Sequence, residues 1–220
     1  MELHTWTAFV LASMLIAVSP GSGAVLSMSH GLTYGVKRSQ ATIVGLELGL
    51  VVILLIAGAG VGSLLVASEV AFNAVKISGA LYLIYVGWAQ WTAKTHVEPT
   101  SKTESELSIK PIAAGPLSWR KRCAMGFLTN VTNPKGIVFM VAVLPQFISP
   151  NQPLWLQLLV MSVTMISVDT LVMSGYAYAA SALQHLFRDT KALRIQNRVF
   201  GGILMAVGTG LFFVKRNQTI

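Results

Sequence analysis

ATIVGLELGLVVILLIAGAGVGSLLV, residues 41–66, carries one charged residue, Glu47, and is otherwise apolar or small apart from Thr42 and Ser63. About 20 residues of α-helix cross the ~30 Å hydrocarbon core of a bilayer, so this stretch has the length and character of a membrane span. It lacks the alternation of a barrel strand, and backbone amides in lipid must find partners within their own segment. A transmembrane helix satisfies both conditions.

Working outward, five more stretches read the same way: Trp6–Ser29, Ala71–Trp91, Cys123–Leu144, Trp155–Leu183 and Val199–Val214. Between the third and fourth lies a polar segment, 92–122, rich in Ser, Thr, Glu and Lys and punctuated by Pro99, Pro111 and Pro116. It reads as a cytoplasmic linker. The expected organisation is all-α and membrane-integral: residues 1–91 and 123–220 form two three-helix repeats. Three helices per half place the halves in opposite orientation, as inverted repeats.

The composition agrees. Only 11% of the 220 residues are charged against 54% hydrophobic, whereas a soluble domain needs about 25% charge to solvate its surface. The net charge of +8 does not point to nucleic acid, because the cations fall between apolar stretches rather than along a basic stripe. Lys37, Arg38, Lys94, Lys102, Lys110, Arg120, Lys121, Arg122, Arg188, Lys191, Arg194 and Arg198 follow stretches one, three and five. Lys76, Lys215 and Arg216 fall on the other side, and Lys135 within stretch four. The positive-inside rule then puts both termini on the non-cytoplasmic side. Trp6, Trp91 and Trp155 near helix ends fit an aromatic belt.

The first stretch begins behind Glu2 with no basic residue before it, so it reads as a retained helix rather than a cleaved leader. Cys123 is the sole cysteine, which excludes an internal disulfide and a CxxC pair. His4, His30, His96 and His185 are scattered through loops and helix ends, so neither a metal site nor a cofactor is indicated. No nucleophile elbow, P-loop or HExxH pattern occurs, and an enzyme is not expected.

Two apolar stretches are interrupted. The first holds Val18-Ser19-Pro20-Gly21-Ser22-Gly23, the fourth Thr129-Asn130-Val131-Thr132-Asn133-Pro134-Lys135-Gly136. Proline removes a backbone donor, and the adjacent glycines lower the cost of unwinding. Interruptions in corresponding positions of two halves point to a midplane binding site. A zwitterion suits such a site, since half-helix N-termini attract a carboxylate and Lys135 adds a cation. The candidate substrate residues are Pro20, Gly21, Ser22, Gly23, Asn130, Asn133, Pro134, Lys135 and Tyr176. Two carboxylates sit inside apolar helices, where each costs roughly 2.5–3.5 kcal/mol near the centre. Asp169, near the middle of stretch five, is the main candidate for a proton or ammonium site. Glu47 is the second, and its place nearer a helix end would let it snorkel toward water. Tyr178 would either line a cavity or pack. Glycines 58, 60, 62, 201, 202, 208 and 210 permit close helix contact and would allow a homodimer without requiring one.

Taken together, Ser19 to Ala24, Gly79 to Ile84, Asn130 to Phe139, Leu144-Pro145-Gln146-Phe147, Val168-Asp169 and Asn197 to Gly202 resemble the lysine-exporter/homoserine-threonine-exporter family (LysE/RhtB), especially its homoserine and homoserine lactone branch. The resemblance runs along nearly the whole chain. It implies a bacterial inner-membrane exporter of small amino acids, homoserine, homoserine lactone or threonine first, driven by proton antiport with alternating access. Pro-Gly-Ser in the first stretch matches homoserine-type members, whereas Glu47 stands where relatives commonly carry a neutral residue. The alternative reading is an inorganic cation transporter or channel.

Overall fold

A computed structural model describes residues 1–67, 69–92, 117–149, 151–182 and 190–213. Among these the secondary structure is helical. In chain order the helices are α1 (Leu3–Val18), α2 (Ser22–Tyr34), α3 (Val36–Ala67), α4 (Glu69–Thr92), α5 (Trp119–Val131), α6 (Pro134–Val143), α7 (Leu154–Ala182) and α8 (Thr190–Phe213). A 3-10 turn, Leu144–Phe147, follows α6. The expected linker lies mostly outside the described residues, as do the histidines at 96 and 185. Its last residues, Trp119 to Arg122, already belong to α5, and the sixth helix begins at Thr190 rather than at Val199.

Both interrupted stretches are broken helices. The α1–α2 pair bends by 58° and the α5–α6 pair by 52°. The cause is the same in each. A residue preceding proline is pushed out of the helical region by the proline ring, and Ser19 (φ −69°, ψ 117°) and Asn133 (φ −73°, ψ 105°) are both extended. Each proline follows at the start of a new helix or just before it. Residues Val36–Gly60 and Leu154–Ala182 are long and apolar enough to cross a bilayer, and so is each bent pair taken whole. Within the described residues α4 and α8 are not among the segments meeting that requirement, although each has 24 residues.

The helices approach through glycine, as expected where lipid supplies no hydrophobic drive for association. A Cβ on Gly45 would lie 1.9 Å from the Cys123 carbonyl oxygen, and one on Gly126 would lie 2.1 Å from that of Thr42. Thus α3 and α5 touch backbone to backbone. Gly87 and Gly201 do the same for α4 and α8, each aimed at the other's carbonyl oxygen at 2.5–2.6 Å. Of the glycines expected at close contacts, Gly58 meets Leu158 and Gly208 meets Ala80, but Gly60 and Gly210 face open space.

Helix α3 lies against α5 and α6, and α7 against α1 and α2, so each long helix crosses to the other half's broken one. On α7 the buried positions Met161, Met165, Asp169, Met173 and Ala177 recur every fourth residue. That is the single stripe a helix presents to a core, and it sets one carboxylate in a column of methionines. Trp6, Trp88, Trp91, Trp119 and Trp155 are all exposed. Tyr178 is exposed as well, which settles it on the outer surface rather than in a cavity.

Candidate functional site

The two breaks meet. Extended backbone at Ser19 ends α1 with its last carbonyls unclaimed by helical amides. Side chains from three other helices take them. Lys135 Nζ, on α6, donates to the Ser19 carbonyl at 2.5 Å and to that of Ile16 at 3.4 Å. Tyr176 OH, on α7, donates to the Val18 carbonyl at 2.6 Å. Gln90 Nε2, on α4, donates to the Pro20 carbonyl at 3.4 Å.

The second break is closed locally. Asn133 is the N-cap of α6 and its side-chain oxygen accepts from the Lys135 amide at 3.2 Å. Pro134 occupies the first helical turn, where its missing N–H leaves nothing unsatisfied. Asn130, 7% exposed, donates from Nδ2 to the Leu46 carbonyl at 2.6 Å and ties α5 to α3.

A cavity of about 50 Å³ lies between the breaks. Gly21, Gly23, Asn130, Asn133, Lys135 and Asp169 line it, with Leu46, Phe139, Met140, Met165 and Met173 forming much of the apolar wall. Six of the residues singled out in the sequence therefore share one cavity. Five do not line it. Ser22 and Pro134 are exposed on the first turns of α2 and α6. Pro20 is buried but reaches the site only through its carbonyl, and Tyr176 through the end of α1. Glu47 sits behind Asp169.

The carboxylates are neighbours. Asp169, 7% exposed, stands close enough to Lys135 and to Glu47 for its charge to act on both. Glu47 does not snorkel. It is 7% exposed, and neither carboxyl oxygen meets water or makes a hydrogen bond of ordinary geometry among the described residues. Two residues on from Gly45, its side chain turns away from α5 toward α7, where Asp169 and Thr170 stand against it. Lys135 and Asp169 in the cavity wall, with Glu47 behind, can bind an ammonium, hold a proton between carboxylates, or exchange one for the other.

One cluster escaped the sequence. His30 is not at a loose helix end but fully buried in α2, with Nδ1 on the Thr42 hydroxyl. Its ring meets that of Tyr34 edge-on at 5.1 Å. The Arg122 guanidinium lies 5.3 Å from the Tyr34 ring centre and donates to the carbonyls of Arg38 (3.1 Å) and Leu117. Arg122 was read as a linker charge, because a basic run ahead of an apolar stretch gives no sign that one of its members turns inward.

Comparison with known proteins follows the same line. The LysE type translocator family matches residues 14–214. A protein named uncharacterized membrane protein, of Vibrio cholerae, is 37% identical over 215 residues, 98% of this chain and all of that one. The homoserine/homoserine lactone efflux protein of Salmonella typhi is 36% identical over 208 residues, 94% and 96% of the two chains. The leucine efflux protein of Enterobacter sp. (strain 638) is 26% identical over 212 residues, 94% and 92%. No solved structure matches the chain. With apolar broken helices, a small cavity between them that holds Lys135 and Asp169, and a family match along nearly its whole length, the chain is an integral membrane transporter, not an enzyme, and belongs to the LysE type translocator family.

Proposed function

We propose that this protein exports small amino acids, homoserine, homoserine lactone or threonine, across the bacterial inner membrane in exchange for protons. The observation that carries the reading is the cavity in which Lys135 and Asp169, opposite charges from opposite walls, face the gap between two broken helices. Buried ionisable groups inside spans are costly and persist where they serve a ligand or a proton. A zwitterion supplies both complements.

The names of the relatives agree. Homoserine and its lactone share an ammonium group but only the former has a free carboxylate, so a site taking both must recognise the ammonium first. Asp169 is the acid placed to do so, with Glu47 behind it as a second proton acceptor.

In this reading the present cavity is contracted. About 50 Å³ holds only a few waters, so an amino acid enters when the walls part. Alternating access would come from residues 1–91 and 123–220 moving as inverted halves with both termini outside the cytoplasm. The crossing of α3 onto α5–α6 and of α7 onto α1–α2 is the pattern that a twofold axis in the membrane plane generates.

The test is uptake of labelled homoserine, threonine, lysine and leucine into sealed proteoliposomes, with and without an imposed proton gradient. Saturable, gradient-stimulated uptake of homoserine or threonine is expected. Uptake of none of them, alongside saturable flux of an inorganic cation, would replace the proposal with the cation-transporter reading.

A further inference from the structure

The carbonyl end of α1 is the negative end of a helix dipole, inside a bundle, beside a buried carboxylate. Chemically this is a socket for an ammonium group, and one is already in it. It belongs to the chain itself: Lys135 Nζ bonds the Ser19 and Ile16 carbonyls and lies beside Asp169.

Resting on the amino-acid export reading, we propose that Lys135 is a built-in occupant of the substrate's ammonium subsite, displaced when substrate binds. The subsite is then the Ser19 and Ile16 carbonyls with Asp169, rather than a helix N-terminus. Lysine suits the task because its charge rides on a flexible four-carbon stem. Gly21 makes room for it, since a Cβ there would stand 3.1 Å from Nζ and 3.2 Å from Cε. The occupant keeps the carbonyls satisfied while the site is empty, which would otherwise leave buried acceptors unpaired.

Displacement has a consequence that depends on the ligand. When the arriving ammonium carries a carboxylate, the evicted Lys135 turns to that carboxylate and the exchange is nearly balanced. When it carries none, as in a lactone, Lys135 is only a competitor. Removing its charge therefore shifts the two ligands in opposite directions.

The experiment is calorimetric binding of homoserine and of freshly dissolved homoserine lactone to the purified protein and to Lys135→Met, which keeps the length of the stem. The variant is expected to bind the lactone about tenfold tighter and homoserine about tenfold weaker. A lysine that serves only as a carboxylate ligand would leave lactone affinity unchanged, and a purely structural one would weaken both; either result overturns the proposal. Should Lys135→Met fail to insert, Gly21→Ala serves instead, because its methyl group, 3.1 Å from Nζ, crowds the ammonium and loosens its hold on the carbonyls while leaving the charge. Both ligands should then tighten by about threefold, and no tightening of either overturns the proposal. Wild-type protein that binds neither ligand refutes the export reading itself, whereas wild-type binding with an unmoved lactone affinity refutes the Lys135 inference alone.

Discussion

The two helix breaks arise from one sequence rule and are held together in opposite ways. Both put an extended residue before a proline. At Asn133 the break is closed by residues within a few positions of it: the Asn133 side chain caps α6, and the Asn133 and Thr132 amides return to the Asn130 and Leu128 carbonyls. At Ser19 three of the closing groups, Lys135, Tyr176 and Gln90, come from elsewhere in the bundle. A locally closed break survives movement of its neighbours. A remotely closed break opens or rearranges whenever they shift, so the first break is the one suited to answer a ligand.

The contrast can be attacked directly, and the largest effect should come from the floor under the second break. Gly126→Leu inserts a side chain where even a Cβ would be 2.1 Å from the Thr42 carbonyl oxygen. Overpacking of this kind costs about 3 kcal/mol or more, and loss of a folded, monodisperse protein on size-exclusion chromatography is expected. Wild-type behaviour would show that α3 and α5 do not meet backbone to backbone.

Next comes Asp169→Asn. It should lower gradient-driven homoserine uptake by at least about a hundredfold, a loss of the size expected for a buried charge acting in the transport step, while leaving insertion intact. Uptake at the wild-type rate would remove Asp169 from the mechanism.

Tyr176→Phe tests the remote closure. It leaves the Val18 carbonyl without its side-chain donor, at a cost of about 1–3 kcal/mol, and should raise amide exchange at the start of α2 more than at the start of α6. Equal exchange in the two segments would erase the distinction between the breaks. Asn133→Ala should have the smallest effect, about 1 kcal/mol for a lost helix cap, seen as a small drop in thermal midpoint and confined to α6 by the same exchange measurement.

This contrast also explains what the sequence disclosed. The two long apolar helices, both breaks and the family were legible because each is written in residues close together: apolar runs, Ser-Pro-Gly, Asn-Pro-Lys. Asp169 stood out because an acid in an apolar helix is conspicuous by itself. The remote partners were not legible. Nothing near Gln90 announces that it reaches the Pro20 carbonyl, and nothing near Arg122 that it turns inward over Tyr34. Glu47 was misjudged for the same reason, since nearness to a helix end suggests water until α7 sets Asp169 and Thr170 against it. Ser22 and Pro134 were drawn into the expected site by adjacency in the chain, although a helix turns successive residues to different sides.

The backbone contact between Gly87 and Gly201 bears on how the protein is made. A ribosome delivers α4 long before α8, and the groove around Gly87 is shaped for a helix that does not yet exist. Until α8 arrives, that groove can be filled only by lipid chains or by another helix. The first half is thus delivered with a vacancy that the second half completes, and separately expressed halves should recover function only when they meet in the same bilayer.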